Sequence, residues 1–292
     1  MGRRIIFFLQ FTIFIPLFLV LNFSCSEISL IPNVRSLQSD LFTGISPDPK
    51  GECVETLSPV LRWDAVPGAA FYEVQLADSS YMLNSAEILT VSDNSYTFSS
   101  ELSRGDLVYW RVRAVNAASQ AGVWSETFLF YVPEYFILET GPAGGYVFYH
   151  DEFYSEDILY LEAAPAETEW TEAAWGGDET DIEGSNDTAV GTGEKNTEDI
   201  VKHVGTGTTY AAQLCDNLEY GGFDDWFLPS KDELNLMYQI LRVNELGNFA
   251  ASNYWSSSEF DPWSAWRQYF NDGNQSGRGE DYICRLCGVR SL

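Results

Sequence analysis

The chain has 292 residues, 45% apolar and 15% aromatic, which is enough for two ordinary domains with their own cores. Its 16 basic and 43 acidic residues give a formal net charge of −27, which excludes nucleic acid and anionic lipid headgroups as electrostatic partners. Such a charge gives an exported protein a solvated, self-repelling surface, and cation binding is the narrower reading.

Residues 1–4 are short and basic, and Ile5 to Phe23 is almost wholly apolar, broken only by Gln10, Thr12, Pro16 and Asn22. Together they make the n-region and h-region of an export signal. The signal runs into "LNFSC", where the small Ser24 precedes Cys25. That stretch resembles the lipobox of bacterial lipoproteins, in which the cysteine becomes the lipidated first residue. The resemblance implies a signal peptide over 1–24, lipidation of Cys25, and attachment to the bacterial envelope at the outer membrane or cell surface. Asn22 and Phe23 depart from the usual small or aliphatic choices, so cleavage elsewhere and an uncleaved membrane helix are the alternatives. Processing removes Arg3 and Arg4 and no acid, leaving 14 basic residues against 43 acidic ones, net −29. Cys53, Cys215, Cys284 and Cys287 then remain in a compartment that permits disulfides.

Residues 25–45 show no sustained periodicity and read as a tether. Over 46–134 the pattern is all β. Val60–Trp63 and Phe71–Ala77 are strand-like runs separated by Pro67 and Gly68, and "YWRVRAVN" alternates, with Trp110, Val112 and Ala114 on one side and Arg111 and Arg113 on the other. With "LRWDAVPGAAFYEVQLA" and "GVWS", this segment resembles a fibronectin type III module, a β-sandwich that most often acts as a spacer. Trp63, Trp110 and Trp124 read as core and interstrand packing.

At "ETGPAGGYVFYH" the texture changes, and an α+β unit over 140–292 begins with a strand at Tyr146–His150. The acidic, glycine-dotted stretch from Glu167 to Val201 is too poor in apolar residues for a core element and reads as a surface excursion. "TYAAQLCDNL" carries helical spacing through Ala211, Leu214, Cys215 and Leu218. In "WFLPSKDELNLMY", Ser230 and Glu233 stand three apart before Leu234, Met237 and Leu241, which is a capping box opening an amphipathic helix. Lys231 then points to solvent from the first turn. Three strand-like runs follow, "NYWSSSE", "AWRQYF" and "YICRLCGVR", with "NDGNQSGRGED" as a hairpin loop between the last two.

The ordered set "GPAGGYVFY", "GTGEKNTEDIV", "YAAQLCDNLEYGGFDDWFLPSKDELNLMY", "YWSSSE" and "GVRSL" resembles the bacterial domain of unknown function typified by the C-terminal domain of the Legionella collagen-like adhesin. That family occurs on exported and lipidated surface proteins, and the adhesin binds sulfated glycosaminoglycans. "WFLPSKDEL" is also similar to a signature of formylglycine-generating enzymes, whose fold is a variant of the C-type lectin fold. The fold class implied is an all-β fibronectin type III-like sandwich followed by an α+β C-type-lectin-like domain. Residues 141–292 hold eight basic and 28 acidic residues, net −20, so sulfated glycosaminoglycan binding is not carried over.

His150 and His203 stand in no zinc-ligand spacing, and Ser256 to Ser258 lack a nucleophile elbow. Trp266 and Phe270 share a strand face and read as core, whereas Trp263 follows Asp261-Pro262 in a loop. Trp263, with Glu259, Asn271 and Asp272, is the candidate ligand-binding set. "FNDG" resembles the W-N-D calcium and sugar motif of C-type lectins, but it is read as an ordinary turn. No cofactor is expected, calcium being the alternative. C-type lectins join the first helix to the final strand by a disulfide, which here implies Cys215 with Cys284, or with Cys287. The resulting expectation is a non-enzymatic, lipid-anchored adhesion or recognition protein for a glycan or protein. The alternatives are a formylglycine-generating-type enzyme using Cys284 and Cys287, and a purely structural envelope protein.

Overall fold

The structure, a computed structural model, describes residues 42–81, 84, 86–154, 159–176 and 181–292. The signal segment, Cys25 and all but the end of the 25–45 tether lie outside the described residues. No helix among the described residues is long and apolar enough to cross a membrane.

Seven strands build the N-terminal part: β1 (Lys50–Cys53), β2 (Val60–Arg62), β3 (Ala69–Ala77), β4 (Leu89–Val91), β5 (Ser95–Thr97), β6 (Leu107–Asn116) and β7 (Phe128–Tyr131). One sheet has the order β1-β7-β6-β3-β4 and the other pairs β2 with β5, with β1 parallel to β7. Alternation along β6 buries Val108, Trp110, Val112 and Ala114 against Leu61, Trp63, Tyr72, Phe128 and Phe130. Arg111 and Arg113 emerge on the opposite face. Their guanidinium carbons lie 4.7 and 4.4 Å from the centroid of the Trp124 ring, which therefore packs outside the core as a cation–π partner.

Among the described residues the C-terminal part is mostly β, with three short α-helices. Its elements are β8 (Tyr146–His150), β9 (Tyr160–Ala163), β10 (Trp170–Ala173), α1 (Gly193–Val204), α2 (Ala211–Asp216), α3 (Lys231–Leu236), β11 (Asn253–Asp261), β12 (Ser264–Tyr269), β13 (Gln275–Gly279), β14 (Cys284–Leu286) and β15 (Val289–Ser291). α3 runs on as a π-helical segment, Met237–Arg242. One sheet has the order β10-β14-β11-β12-β13, and a smaller one, β15-β9-β8, brings the last strand beside the first two.

Five sequence expectations are corrected here. Within the supposed surface excursion, residues 193–204 form helix α1, whose buried face carries Ile200 together with Gly193, Asn196 and Thr197. Polar and small residues replace the apolar stripe, with Asn196 Nδ2 donating to Asp187 O and Thr197 Oγ1 to Gly193 O inside the fold. Part of the supposed hairpin loop is β13, held in register opposite β12 despite its two glycines. "YICRLCGVR" is two strands, not one: the chain leaves one sheet after Leu286 and joins the other at Val289. Phe270 is core, but Trp266 at the outer end of the hairpin is only half-buried, its ring 4.8 Å from Phe260 and 5.2 Å from the Lys231 ammonium. Lys231 thus lies along Trp266 rather than in open solvent.

The two parts are strapped together. Cys53 N–H donates to Glu152 O at 2.8 Å and Tyr154 N–H donates to Gly51 O at 2.7 Å, so residues 152–154 run antiparallel to β1 and extend the larger sandwich sheet. Arg104 forms two hydrogen bonds with the Glu139 carboxylate, at 2.8 and 2.9 Å.

Candidate functional site

The signature motifs converge on two buried carboxylates. Glu233 opens α3: its Oε2 accepts from Ser230 N–H at 2.7 Å, and Ser230 Oγ accepts in return from Glu233 N–H at 3.3 Å. The same carboxylate reaches across to the start of α1, where Gly191 N–H donates to Oε1 at 2.7 Å. A Cβ on Gly193 would sit 2.2 Å from Glu233 Oε2, so only glycine lets the two helix starts approach. Burial pushes the Glu233 carboxyl up against the pull of these N–H groups.

The serines of "YWSSSE" belong to the same network. Ser258 Oγ donates to Asp187 O at 2.7 Å and accepts from Lys231 N–H at 3.0 Å, while Ser256 Oγ donates to Trp266 O at 2.9 Å. Asn196 Nδ2 donates to Asp187 O at 2.7 Å, and Thr197 Oγ1 accepts from Leu228 N–H at 3.0 Å. The Ser256, Ser258 and Thr197 hydroxyls are occupied by backbone, Ser257 Oγ accepts from Asn196 Nδ2 at 3.4 Å, and no histidine takes part in these bonds.

Glu162 on β9, fully buried, anchors the second network. It accepts from Ala143 and Gly145 N–H at 3.1 and 2.9 Å and lies 3.4 Å from Arg290 Nη1 on β15. Arg290 also makes two 2.8 Å bonds to Asp225, and its guanidinium carbon lies 3.7 Å from the centroid of the Phe223 ring. A Cβ on Gly145 would meet Ala163 O at 1.8 Å. "GPAGG", "GGFDDW" and "GVR" are therefore three sides of one clamp.

The expected disulfide is not formed. Cys53, Cys215, Cys284 and Cys287 are all free and buried. Cys284 on β14 faces the positive charges of Arg267 and Arg278, whereas Cys215 on α2 feels Cys287, which has left the sheet and whose Sγ contacts Ala164 O at 3.5 Å. Burial pushes the Cys284 thiol up to about 11 and the Cys53 thiol up to about 12, and it raises Cys215 and Cys287 well above the ordinary thiol range.

The four candidate ligand residues do not gather in one place. Trp263, 63% exposed, tops the β11–β12 turn; Phe260 near the end of β11 and Tyr282 and Ile283 beyond β13 are exposed as well. Glu280 N–H donates to Trp263 O at 3.2 Å and brings the chain beyond β13 alongside. Glu259 is buried beneath this end of the hairpin: Ile182 N–H donates to its carboxylate at 3.3 Å. Burial, with the neighbouring charges of Asp181 and Glu280, pushes its carboxyl up to about 7. Asn271 and Asp272 lie at the other end of β12, on the order of 20 Å away along an extended strand, and Asp272 accepts from Asn274 N–H at 3.0 Å within its turn. Among the described residues no group of three or more His, Cys, Asp or Glu is placed to hold a metal ion. The sequence does not reveal the exposure of Tyr282 and Ile283, because "YIC" reads as the start of a strand.

Residues 165–290 match the family model described as the Lcl C-terminal domain. No curated protein matches the chain. Solved structures similar to it include an Fn3-like protein from Clostridium thermocellum, 21% identical over 32% of this chain and 93% of that one, TM-score 0.24. CopC from Methylosinus trichosporium OB3b is 16% identical over 32% and 92%, TM-score 0.23. An α-L-rhamnosidase from Streptomyces avermitilis is 18% identical over 49% of this chain and 16% of its own, TM-score 0.27.

Proposed function

We propose that the chain is an exported surface protein, anchored by lipid at Cys25, that carries a non-enzymatic recognition head on a β-sandwich spacer. The head is the 140–292 unit, of C-type-lectin-like fold, and its ligand is a glycan or a protein. The observation that carries this reading is the exposure of large apolar side chains on and just beyond the β11–β12 hairpin: Trp263 at its turn is 63% exposed, Phe260 50%, Ile283 51% and Tyr282 42%. The Trp263 indole in particular is suited to an interaction site, because flat rings stack on sugar faces or on a partner's side chains.

Two further features support recognition over catalysis. The polar signature residues are bonded to backbone inside the fold, and all four described cysteines are buried with raised thiols, which makes them poor nucleophiles. The return of β15 to the side of β9 and β8, beside a second sheet and three helical segments, supports the lectin-like fold. The net charge of −20 over 141–292 weighs against sulfated glycosaminoglycans as the ligand.

The test is a glycan and matrix-protein array probed with the full mature chain and with Trp263→Ala. The expected result is at least one ligand whose capture falls about tenfold or more in the variant, equivalent to roughly 1.4 kcal/mol. Capture of the same ligands at unchanged strength by Trp263→Ala would contradict the assignment.

A further inference from the structure

A cavity of about 280 Å³ opens on the opposite flank of the C-terminal part, away from the β11–β12 turn, where the loop after Arg242 meets β8 and the end of β9. Its apolar wall includes Tyr146, Leu241 and Phe249, and its lining also includes Glu167, Glu245 and Asn248. No lysine, arginine or histidine lines it. The Tyr220 hydroxyl donates to Glu167 Oε1 at 2.6 Å and holds that carboxyl below its ordinary range, so a negative charge is fixed at the mouth. Glu245 and Asn248 sit at φ 59° and 53°, a left-handed conformation uncommon for residues other than glycine.

Charge and surface together select the occupant. An anion would meet two carboxylates and no cation among the lining residues, and a neutral apolar group would add no partner for either carboxylate. A cation on an aliphatic stem satisfies both parts: its charge faces Glu167 and Glu245, and its stem packs along Tyr146 and the exposed edge of Phe249. We infer that this cavity binds the protonated amine of an alkylammonium group, supplied by a lysine side chain or by a free alkylamine. The site is separate from Trp263 and does not depend on the function proposed for it.

The experiment titrates the full mature chain with three probes, N-acetyl-lysine-methylamide, n-pentylamine and N-acetyl-norleucine-methylamide, following the ring resonances of Tyr146 and Phe249 by NMR. The lysine derivative, the alkylamine or both are expected to shift these resonances saturably, and norleucine, which keeps the stem without the charge, is expected not to. Preference for the lysine derivative assigns the site to a side chain of a partner, and preference for pentylamine assigns it to a free amine. The double variant Glu167→Gln/Glu245→Gln is expected to weaken binding about tenfold or more, whereas Glu172→Gln, outside the cavity, leaves it unchanged. No saturable shift with either amine, equal binding of norleucine, or full binding by the double variant would overturn the inference. Both glutamates are exposed, so the substitutions leave the fold intact, and an unchanged thermal transition verifies that.

Discussion

The sandwich of residues 50–131 and the C-terminal part handle buried polarity in opposite ways. Among the described residues, the sandwich buries only Gln75 and Ser125 as polar side chains, and its interior is rings and branched aliphatics. The C-terminal part buries Glu162, Glu233, Glu259, Glu280, Arg290, Asn196 and the three consecutive serines of β11. An apolar core is non-directional and accepts conservative change, whereas a buried network demands that every member be satisfied. The sandwich is thus the kind of structure that serves as a spacer. In the C-terminal part, the motifs that stand out in the sequence are there to close the fold.

The largest expected effect follows from the Glu162 clamp. Arg290→Met removes the one cation in contact with a fully buried carboxylate, and should cost about 3–5 kcal/mol in chemical denaturation. Adding Glu162→Gln to that variant should restore part of the loss, because no buried charge is then left unpaired. If the single variant costs no more than an exposed ion pair, below about 1 kcal/mol, the contrast between the two parts fails.

An intermediate effect concerns Glu259. Its folded carboxyl is raised to about 7, above the unfolded value near 4.5, so the folded state holds the proton more tightly. Stability is therefore fully supported below about pH 4.5 and declines as pH rises from there through 7. Glu259→Gln should flatten that decline, by roughly 1–3 kcal/mol across the window. Denaturation midpoints of the two proteins at pH 5 and pH 8 measure it, and parallel declines would remove Glu259 as the cause.

The smallest effect belongs to the sandwich. Tyr72→Phe removes the oxygen that accepts from Val66 N–H at 2.8 Å but keeps the ring against Trp63, and should cost about 1 kcal/mol. A loss near that of Arg290→Met would show that the sandwich, too, rests on polar contacts.

This contrast also decided what could be read from the sequence. Strand β6 was legible because Trp110, Val112 and Ala114 alternate with arginines, and the Ser230–Glu233 pair was legible because its geometry is local, three residues apart on one turn. Helix α1 was not, because Asn196 and Thr197 look solvent-facing until Asp187 and Leu228 close around them from elsewhere in the chain. β13 carries no apolar alternation and takes its place from register with β12. The split between β14 and β15 falls at Cys287-Gly288, where a nearly continuous strand-like pattern hides a change of sheet. The disulfide was carried over from a resemblance, and in the structure Cys215, Cys284 and Cys287 are all free. Trp263 was legible as a loop aromatic. The exposure of Tyr282 and Ile283 was not, since "YIC" reads as the start of a strand.

The most direct measurement compares two variants of the full mature chain, Ser258→Ala in the buried network and Trp263→Ala on the surface, for thermal stability and for capture on the same ligand array. The account predicts that Ser258→Ala loses about 1–3 kcal/mol of stability and keeps its ligand below its transition, while Trp263→Ala keeps its stability and loses the ligand. A Ser258→Ala protein that unfolds at the wild-type temperature yet no longer captures the ligand would place the site in the signature network and contradict the account.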